Sequence, residues 1–260
     1  MDCNKSDIPN WHYETAEDSG LRFIDRLKRC PREPDPLVYA ARIWSALVIR
    51  GWLKTYNRFE ISGRENLPSS GPFVLVANHS SHLDTVALQS ALPLRSLHRT
   101  YPVAARDYFC ANRSRVLLAA IVANAMFFDR EESGQEGLKV CRQLLEEKSA
   151  VLIIFPEGTR TADGRVGLFR RGVGQLLAGT EYPAVPCHIG GTFKSWPKGL
   201  RIPRPSRVKL SIGEARTYKS VAPDSLGILR VCADLQNAVM ELGALSGAEA
   251  VRSFSQEAYQ

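Results

Sequence analysis

The stretch "PFVLVANHSSHLDTVALQSAL", residues 72–92, decides the fold. Its first part, ending near Ala77, is an unbroken apolar run that reads as a buried strand, and its last part, from Thr85, spaces apolar residues as a helix does. Between them stand Asn78, His79, Ser80, Ser81, His82 and Asp84, a concentration of titratable and hydroxyl groups where the strand would leave the core. Five residues of continuous helix turn through about 500°, which would set His79 and Asp84 on nearly opposite sides. His79 therefore precedes the helix. With a strand ending at Ala77, a turn through Asn78 to Ser80 and Ser81 capping a helix that begins near His82, Asp84 lies in the first turn and can bend back to the imidazole. That arrangement is a base oriented by a carboxylate beside a positive helix end. The same letters fit an S-x-x-D capping box, with His79 a hydrogen-bonded histidine at a strand end and His82 a residue of the helix surface.

Outward from this unit, "FEISG", "YPVAA", "VLIIFP", "AVPCHIG" and "RVKLSIG" read as further strands. "SRVLLAAIVAN", "EGLKVCRQLLEEK" and "GVGQLLAG" read as helices between them. Alternating strands and helices predict one α/β domain with a mostly parallel or mixed sheet flanked by helices. The core of that domain runs over 58–220. A closing helix at about 224–243 is expected within a C-terminal segment, 221–260.

The chain carries 34 Lys plus Arg against 27 Asp plus Glu, a formal charge of +7, which favours anionic partners. Its six cysteines, Cys3, Cys30, Cys110, Cys141, Cys187 and Cys232, are scattered without metal or disulfide spacing, as suits a reducing compartment. Residues 1–36 form a polar segment without the basic start and apolar run of a secretory signal, so export is not expected. Residues 37–57, "LVYAARIWSALVIRGWLKTYN", predict an amphipathic helix. Arg42 and Arg50 within it disfavour a membrane span, since a central arginine costs about 2.5–3.5 kcal/mol. On a helical wheel Arg42, Arg50 and Lys54 share one side, away from Trp44, Leu47, Val48 and Trp52. Two readings follow: a helix in the headgroup region with arginines toward phosphates, or a helix covering the domain's own core.

Three further stretches carry chemistry: "AMFFDR", residues 125–130, "FPEGTR", residues 155–160, and "VPCHIGG", residues 185–191. Ligands of α/β sheets gather at strand ends, so Arg130 and Arg160 are placed to converge on one anion. Arg170 and Arg171 follow in "GLFRRG", and Glu157 is a candidate ion-pair partner for Arg160. A guanidinium fork suits phosphate oxygens better than an ammonium. In order, N-H-x-x-x-x-D, F-x-D-R, F-P-E-G-T-R and V-P resemble the four blocks of the glycerolipid acyltransferases, the family of 1-acyl-sn-glycerol-3-phosphate acyltransferase. The resemblance covers about 58–215. It departs from the family at Asn124, where a glycine usually stands six residues before the arginine, at Met126, and at Cys187.

The resemblance implies His79 as general base and Asp84 as its orienting partner. Arg130, Glu157, Gly158, Thr159 and Arg160 would form the acceptor-phosphate set. Asn78, Ser81, Arg170, Arg171 and Pro186 would support them, Pro186 near the acyl site. It further implies no metal, no cofactor beyond an acyl-CoA or acyl-carrier-protein thioester as co-substrate, and no covalent acyl-enzyme. The partners expected are a lyso-lipid, the thioester donor and an anionic membrane surface met from its cytoplasmic face, with no nucleic acid. Histidine, which titrates near neutrality, suits the removal of a hydroxyl proton. Two other readings stand beside this one. One is a hydrolase with Ser80 or Ser81 as nucleophile, for which no G-x-S-x-G elbow occurs; the other is a lipid- or acyl-carrier-binding module without catalysis.

Overall fold

A computed structural model describes residues 35–105, 119–128, 134–147 and 149–257. Arg130, with Asp129, lies outside the described residues, as do residues 1–34 and Cys110.

The elements follow the hydrophobic pattern. Helix α1 spans Pro36–Tyr56; its proline needs no N–H in the first turn, and the Asp35 carboxylate accepts the Leu37 and Val38 amides. Strand β1 is Glu60–Ser62 and β2 is Phe73–Ala77, followed by α2 at Leu83–Ala91. Next come β3, Thr100–Ala105, and β4, Met126–Phe128. Helix α3, Gly134–Glu147, leads to β5, Val151–Ile154. Helix α4, Arg171–Leu177, leads to β6, Ala184–Gly190. The short α5, Thr192–Ser195, precedes β7, Lys209–Ile212, and α6 closes the fold over Ser225–Glu257. The last helix thus runs well past the 243 expected from sequence.

The seven strands form one sheet in the order β1-β7-β6-β2-β5-β3-β4. Strands β6, β2, β5, β3 and β4 run parallel, β7 is antiparallel to β6, and β1 is parallel to β7. The sheet is therefore mixed, with two strands at one side reversed. Strand β2 sits centrally and is buried throughout, which is why its residues alternate between two cores rather than between core and water. Val74 and Val76 pack beneath α3, α4 and α6, through residues such as Leu144, Leu176 and Leu235. Phe73, Leu75 and Ala77 pack against α2 on the opposite face, through Ala87, Leu88 and Ala91. Helix α6 is part of this core: the Ile228 carbonyl lies where a Cβ on Gly174 would sit, so only glycine admits the α4–α6 contact.

Helix α1 lies over α2 with its arginines turned inward. Arg42 is buried and donates through Nε to the Ile121 carbonyl at 2.9 Å and through Nη2 to the Ala120 carbonyl at 3.0 Å. Arg50 donates to the Leu92 carbonyl and, at 3.4 Å, to that of Gln89. Both guanidiniums thus meet carbonyl groups at helix C-termini, where positive charge is favoured. The reading with arginines toward headgroup phosphates does not hold. The outward face is instead apolar, with Trp44 69% and Leu37 82% exposed beside Leu47 and Val48.

Asn124, the departure from the family pattern, has φ +54°. Asparagine is one of the few side chains tolerated there besides glycine. Its amide donates to the His98 and Thr100 carbonyls, both at 3.1 Å, so the substitution keeps the turn into β4.

Candidate active site

The parallel strands deliver their C-terminal ends to one sheet edge, and the turn after β2 opens there. Asn78 continues the β2–β6 ladder with its side chain: Nδ2 donates to the Ile189 carbonyl at 3.0 Å and Oδ1 accepts the Ile189 amide at 2.8 Å. The backbone thereby leaves the sheet one residue early, and His79 emerges over the edge. Its Nδ1 lies 2.9 Å from Asp84 Oδ2, the geometry expected from the turn-then-helix reading. Asp84 is fully buried, whereas the His79 side chain is 20% exposed. Oδ2 also accepts the backbone amides of Ser80 and Ser81, each at 2.7 Å.

Three donors converge on one buried oxygen and fix the direction of the carboxyl group. The imidazole stacks on Phe155, ring centroids 4.1 Å apart and planes 19° from parallel. Clamped by Asp84 and Phe155, the ring leaves Nε2 without a partner among the described residues, and Nε2 is the atom able to take a proton from a substrate.

The capping expectation is off by one residue. Helix α2 begins at Leu83, and Ser81 Oγ accepts the Leu83 amide at 3.1 Å while donating to the Trp196 carbonyl at 2.8 Å. His82 sets its ring edge-on to Trp196. Ser80 Oγ is bonded to Thr192 Oγ1 at 3.1 Å. Both serines are buried with their hydroxyls engaged, which argues against either as a nucleophile.

Glu157 departs from its expected role. Its Oε1 accepts the His79 amide at 2.8 Å and its Oε2 the Gly167 amide at 2.9 Å, so the carboxyl group ties the loop at Gly167 to the turn at His79 and does not pair with Arg160. Burial pushes this carboxyl above the usual range, opposed by the two backbone N–H groups. The Thr161 amide adds a bond to the His79 carbonyl at 2.9 Å. Gly158 has φ +73°, and a Cβ there would lie 2.8 Å from Arg170 Nε. Arg170 donates from Nε to the Glu157 carbonyl at 3.0 Å, bracing the turn.

The exposed Thr159 and half-buried Arg160 occupy the tip of this turn, and the exposed Arg171 opens α4 nearby. Pro186 lies in the body of the sheet opposite Val76, below the edge that carries His79. Cys187 is wholly buried, which raises its thiol pKa and leaves it a packing residue. Phe155 and the Gly167 amide were missed by sequence reasoning. The aromatic residue heading "FPEGTR" was the available signal for the first, and a backbone donor offers none for the second.

A family model described as Acyltransferase matches residues 58–190. The chain is 32% identical over 170 residues to the chloroplastic 1-acyl-sn-glycerol-3-phosphate acyltransferase BAT2 of Brassica napus, covering 62% of this chain and 44% of that one. It is 33% identical over 131 residues to human 1-acyl-sn-glycerol-3-phosphate acyltransferase alpha, covering 50% and 44%. The chain thus spans about half the length of the curated relatives it matches. Its fold resembles that of the 1-acyl-sn-glycerophosphate acyltransferase PlsC from Thermotoga maritima, with a TM-score of 0.57 and 22% identity over 79% of this chain and 80% of that one. With the family match spanning more than half of its length, and the sheet and its motif-bearing edge in place, the chain belongs to the acyltransferase family.

Proposed function

We propose that the protein transfers a fatty acyl group from an acyl-CoA or acyl-carrier-protein thioester to the free hydroxyl of a lysophosphatidic-acid-like acceptor. The observation that carries this reading is the His79–Asp84 pair, a partly exposed imidazole whose Nδ1 is bound to a buried carboxylate and whose Nε2 is available. The acceptor hydroxyl gives its proton to Nε2 as its oxygen attacks the thioester carbonyl. Asp84 holds the Nδ1–H tautomer and stabilises the imidazolium. The tetrahedral adduct then collapses, the carbon–sulfur bond breaks, and the proton passes to the departing thiolate. Thiol and ester are the products, and no acyl-enzyme forms. Arg160, with Arg130 and Arg171, would hold the acceptor phosphate so that its hydroxyl points at His79.

No helix among the described residues is long and apolar enough to cross a membrane. Helix α1 nevertheless turns Leu37, Trp44, Leu47 and Val48 outward, a stripe suited to the interface of an anionic bilayer on its cytoplasmic side.

The test is a mass-spectrometric transfer assay pairing palmitoyl-CoA and palmitoyl-acyl carrier protein with lysophosphatidic acid, glycerol 3-phosphate and phosphate-free lyso-lipids. Product with lysophosphatidic acid, lost in His79→Ala and weakened at the acceptor in Arg160→Ala, is expected. Turnover by a folded His79→Ala protein would end the base assignment. Equal use of phosphate-free acceptors would end the anion-site assignment.

A further inference from the structure

The turn after β5 meets His79 at three points. Phe155 lays its ring against the imidazole, centroids 4.1 Å apart. Glu157 Oε1 accepts the His79 amide at 2.8 Å, and the Thr161 amide donates to the His79 carbonyl at 2.9 Å. Ring, N–H and C=O of one residue are thus all held by residues 155–161, while Asp84 takes Nδ1.

Glu157 alone among these residues reaches both His79 and the loop beyond the turn through its side chain. Its Oε2 accepts the Gly167 amide at 2.9 Å. A Cβ on Gly167 would stand 2.8 Å from Oε2 and 3.5 Å from the carboxyl carbon, so the missing side chain is what lets this backbone close on the carboxyl group. The loop then returns to the turn. The Arg170 amide donates to the Pro156 carbonyl at 2.9 Å, and Arg170 Nε to the Glu157 carbonyl at 3.0 Å. Turn and loop are therefore fastened to each other at Gly167 and again at Arg170, and the carboxyl group carries that anchorage to the base. Glu157 is 6% exposed, with a backbone N–H on each oxygen. Such a group serves the chain around it and not an incoming phosphate, which a carboxylate would repel.

We infer that Glu157 is a positioning residue of the acyl transfer, one that sets the place of His79 by locking its amide to the loop at Gly167 and takes no part in holding the acceptor. The inference rests on the acyl-transfer reading and departs from the acceptor role that the family resemblance implies for Glu157. Asp84 and Phe155 orient the ring, whereas the backbone bonds decide where the ring is carried. A base works only when its nitrogen meets the hydroxyl within hydrogen-bond reach, and a displacement of about 1 Å can cost about 10²-fold in rate. Glutamine cannot reproduce the linkage. Its amide nitrogen carries two hydrogens and accepts none, so either the His79 or the Gly167 N–H loses its partner.

The experiment uses the full chain with Glu157→Gln, Gly167→Ala and the two combined, each checked by thermal melt. Initial rates with palmitoyl-CoA are measured against the concentration of lysophosphatidic acid, and the His79 Nδ1 proton is followed by NMR on protein carrying isotope-labelled histidine. Glu157→Gln should lower kcat by about 10²-fold and leave the acceptor KM unchanged. Gly167→Ala keeps the carboxyl group but pushes it away from the loop, and should lower kcat by about tenfold or more with the same unchanged KM. The combined variant should be no worse than the poorer single one, because both changes break one linkage. Both single variants should move the Nδ1 proton signal.

An acceptor KM raised with kcat kept would return Glu157 to the acceptor site and overturn the inference. So would an unchanged kcat in either folded variant, and Gly167→Ala decides alone if Glu157→Gln fails to fold. Absent turnover in the unaltered protein would count against the acyl-transfer reading. The Nδ1 signal would then decide the positioning role, a shift in the folded variants supporting it and an unmoved signal overturning it.

Discussion

Asp84→Asn separates the charge of the orienting residue from its shape. The amide is isosteric, and its oxygen can keep the backbone amides of Ser80 and Ser81 that Oδ2 accepts at 2.7 Å. Exchanging an ionised for a neutral acceptor costs about 1 kcal/mol per bond, so a loss of about 2–3 kcal/mol of stability with the fold retained is expected. Turnover should suffer more. A full negative charge 2.9 Å from Nδ1 stabilises an imidazolium by about 6 kcal/mol at an effective dielectric near 20. At about 1.4 kcal/mol per decade this corresponds to a kcat lower by about 10³–10⁴-fold once partial compensation by the amide dipole is allowed. Asp84→Ala, by contrast, strands two buried N–H groups at about 1–3 kcal/mol each and should cost much of the fold. The assay is initial-rate acyl transfer from palmitoyl-CoA to lysophosphatidic acid, with thermal melts by circular dichroism on the same samples. A folded Asp84→Asn protein working within tenfold of the unaltered one would refute the electrostatic role.

Gly158→Ala places a Cβ at φ +73°, 2.8 Å from Arg170 Nε; a loss of about 1–2 kcal/mol is expected from the left-handed backbone, read as a lower urea midpoint. Glu157 predicts a pH effect. Its carboxyl is raised in the folded protein, chiefly by burial, so the native state binds its proton more readily than the unfolded chain. The stability it contributes is therefore complete below the unfolded carboxyl's titration and is lost as pH rises through that of the folded one. The melting temperature of the unaltered protein minus that of Glu157→Gln should accordingly fall from acid to neutral pH, and a rising difference would contradict the assignment. Trp44→Ser with Leu47→Glu, both on the outward face of α1, should abolish sedimentation with anionic vesicles while leaving the melting temperature nearly unchanged; retained sedimentation would place lipid contact elsewhere.

The α/β sheet, mostly parallel but mixed, and the His79–Asp84 pair were legible in the sequence because both rest on local signals: an apolar run, a helical period, and a five-residue spacing that only a turn reconciles. What was not legible depends on distant partners. A helical wheel groups Arg42 with Arg50, but it cannot say that the grouped side faces inward. The carbonyl groups that receive them, at Leu92, Ala120 and Ile121, exist only because other helices end there. Glu157 stands three residues from Arg160 and invites an ion pair, yet its partners are backbone amides, which no residue type announces. Asn124 reads as a departure from a glycine position until its φ shows that the backbone, rather than the side chain, is what the position demands.

The turn that carries His79 is held by residues that come much later in the chain: Glu157, Thr161, Ile189, Thr192 and Trp196. During synthesis, His79 and Asp84 emerge early, long before the groups that brace them. Such distant pairings form late, because the ends of long loops must first be brought together. The nascent chain thus holds every atom of its His–Asp pair while lacking the brace, and the pair takes up its braced geometry only after β6 and the loop beyond it have docked. Truncation before Trp196 should therefore leave a polypeptide that contains the motif and none of the activity.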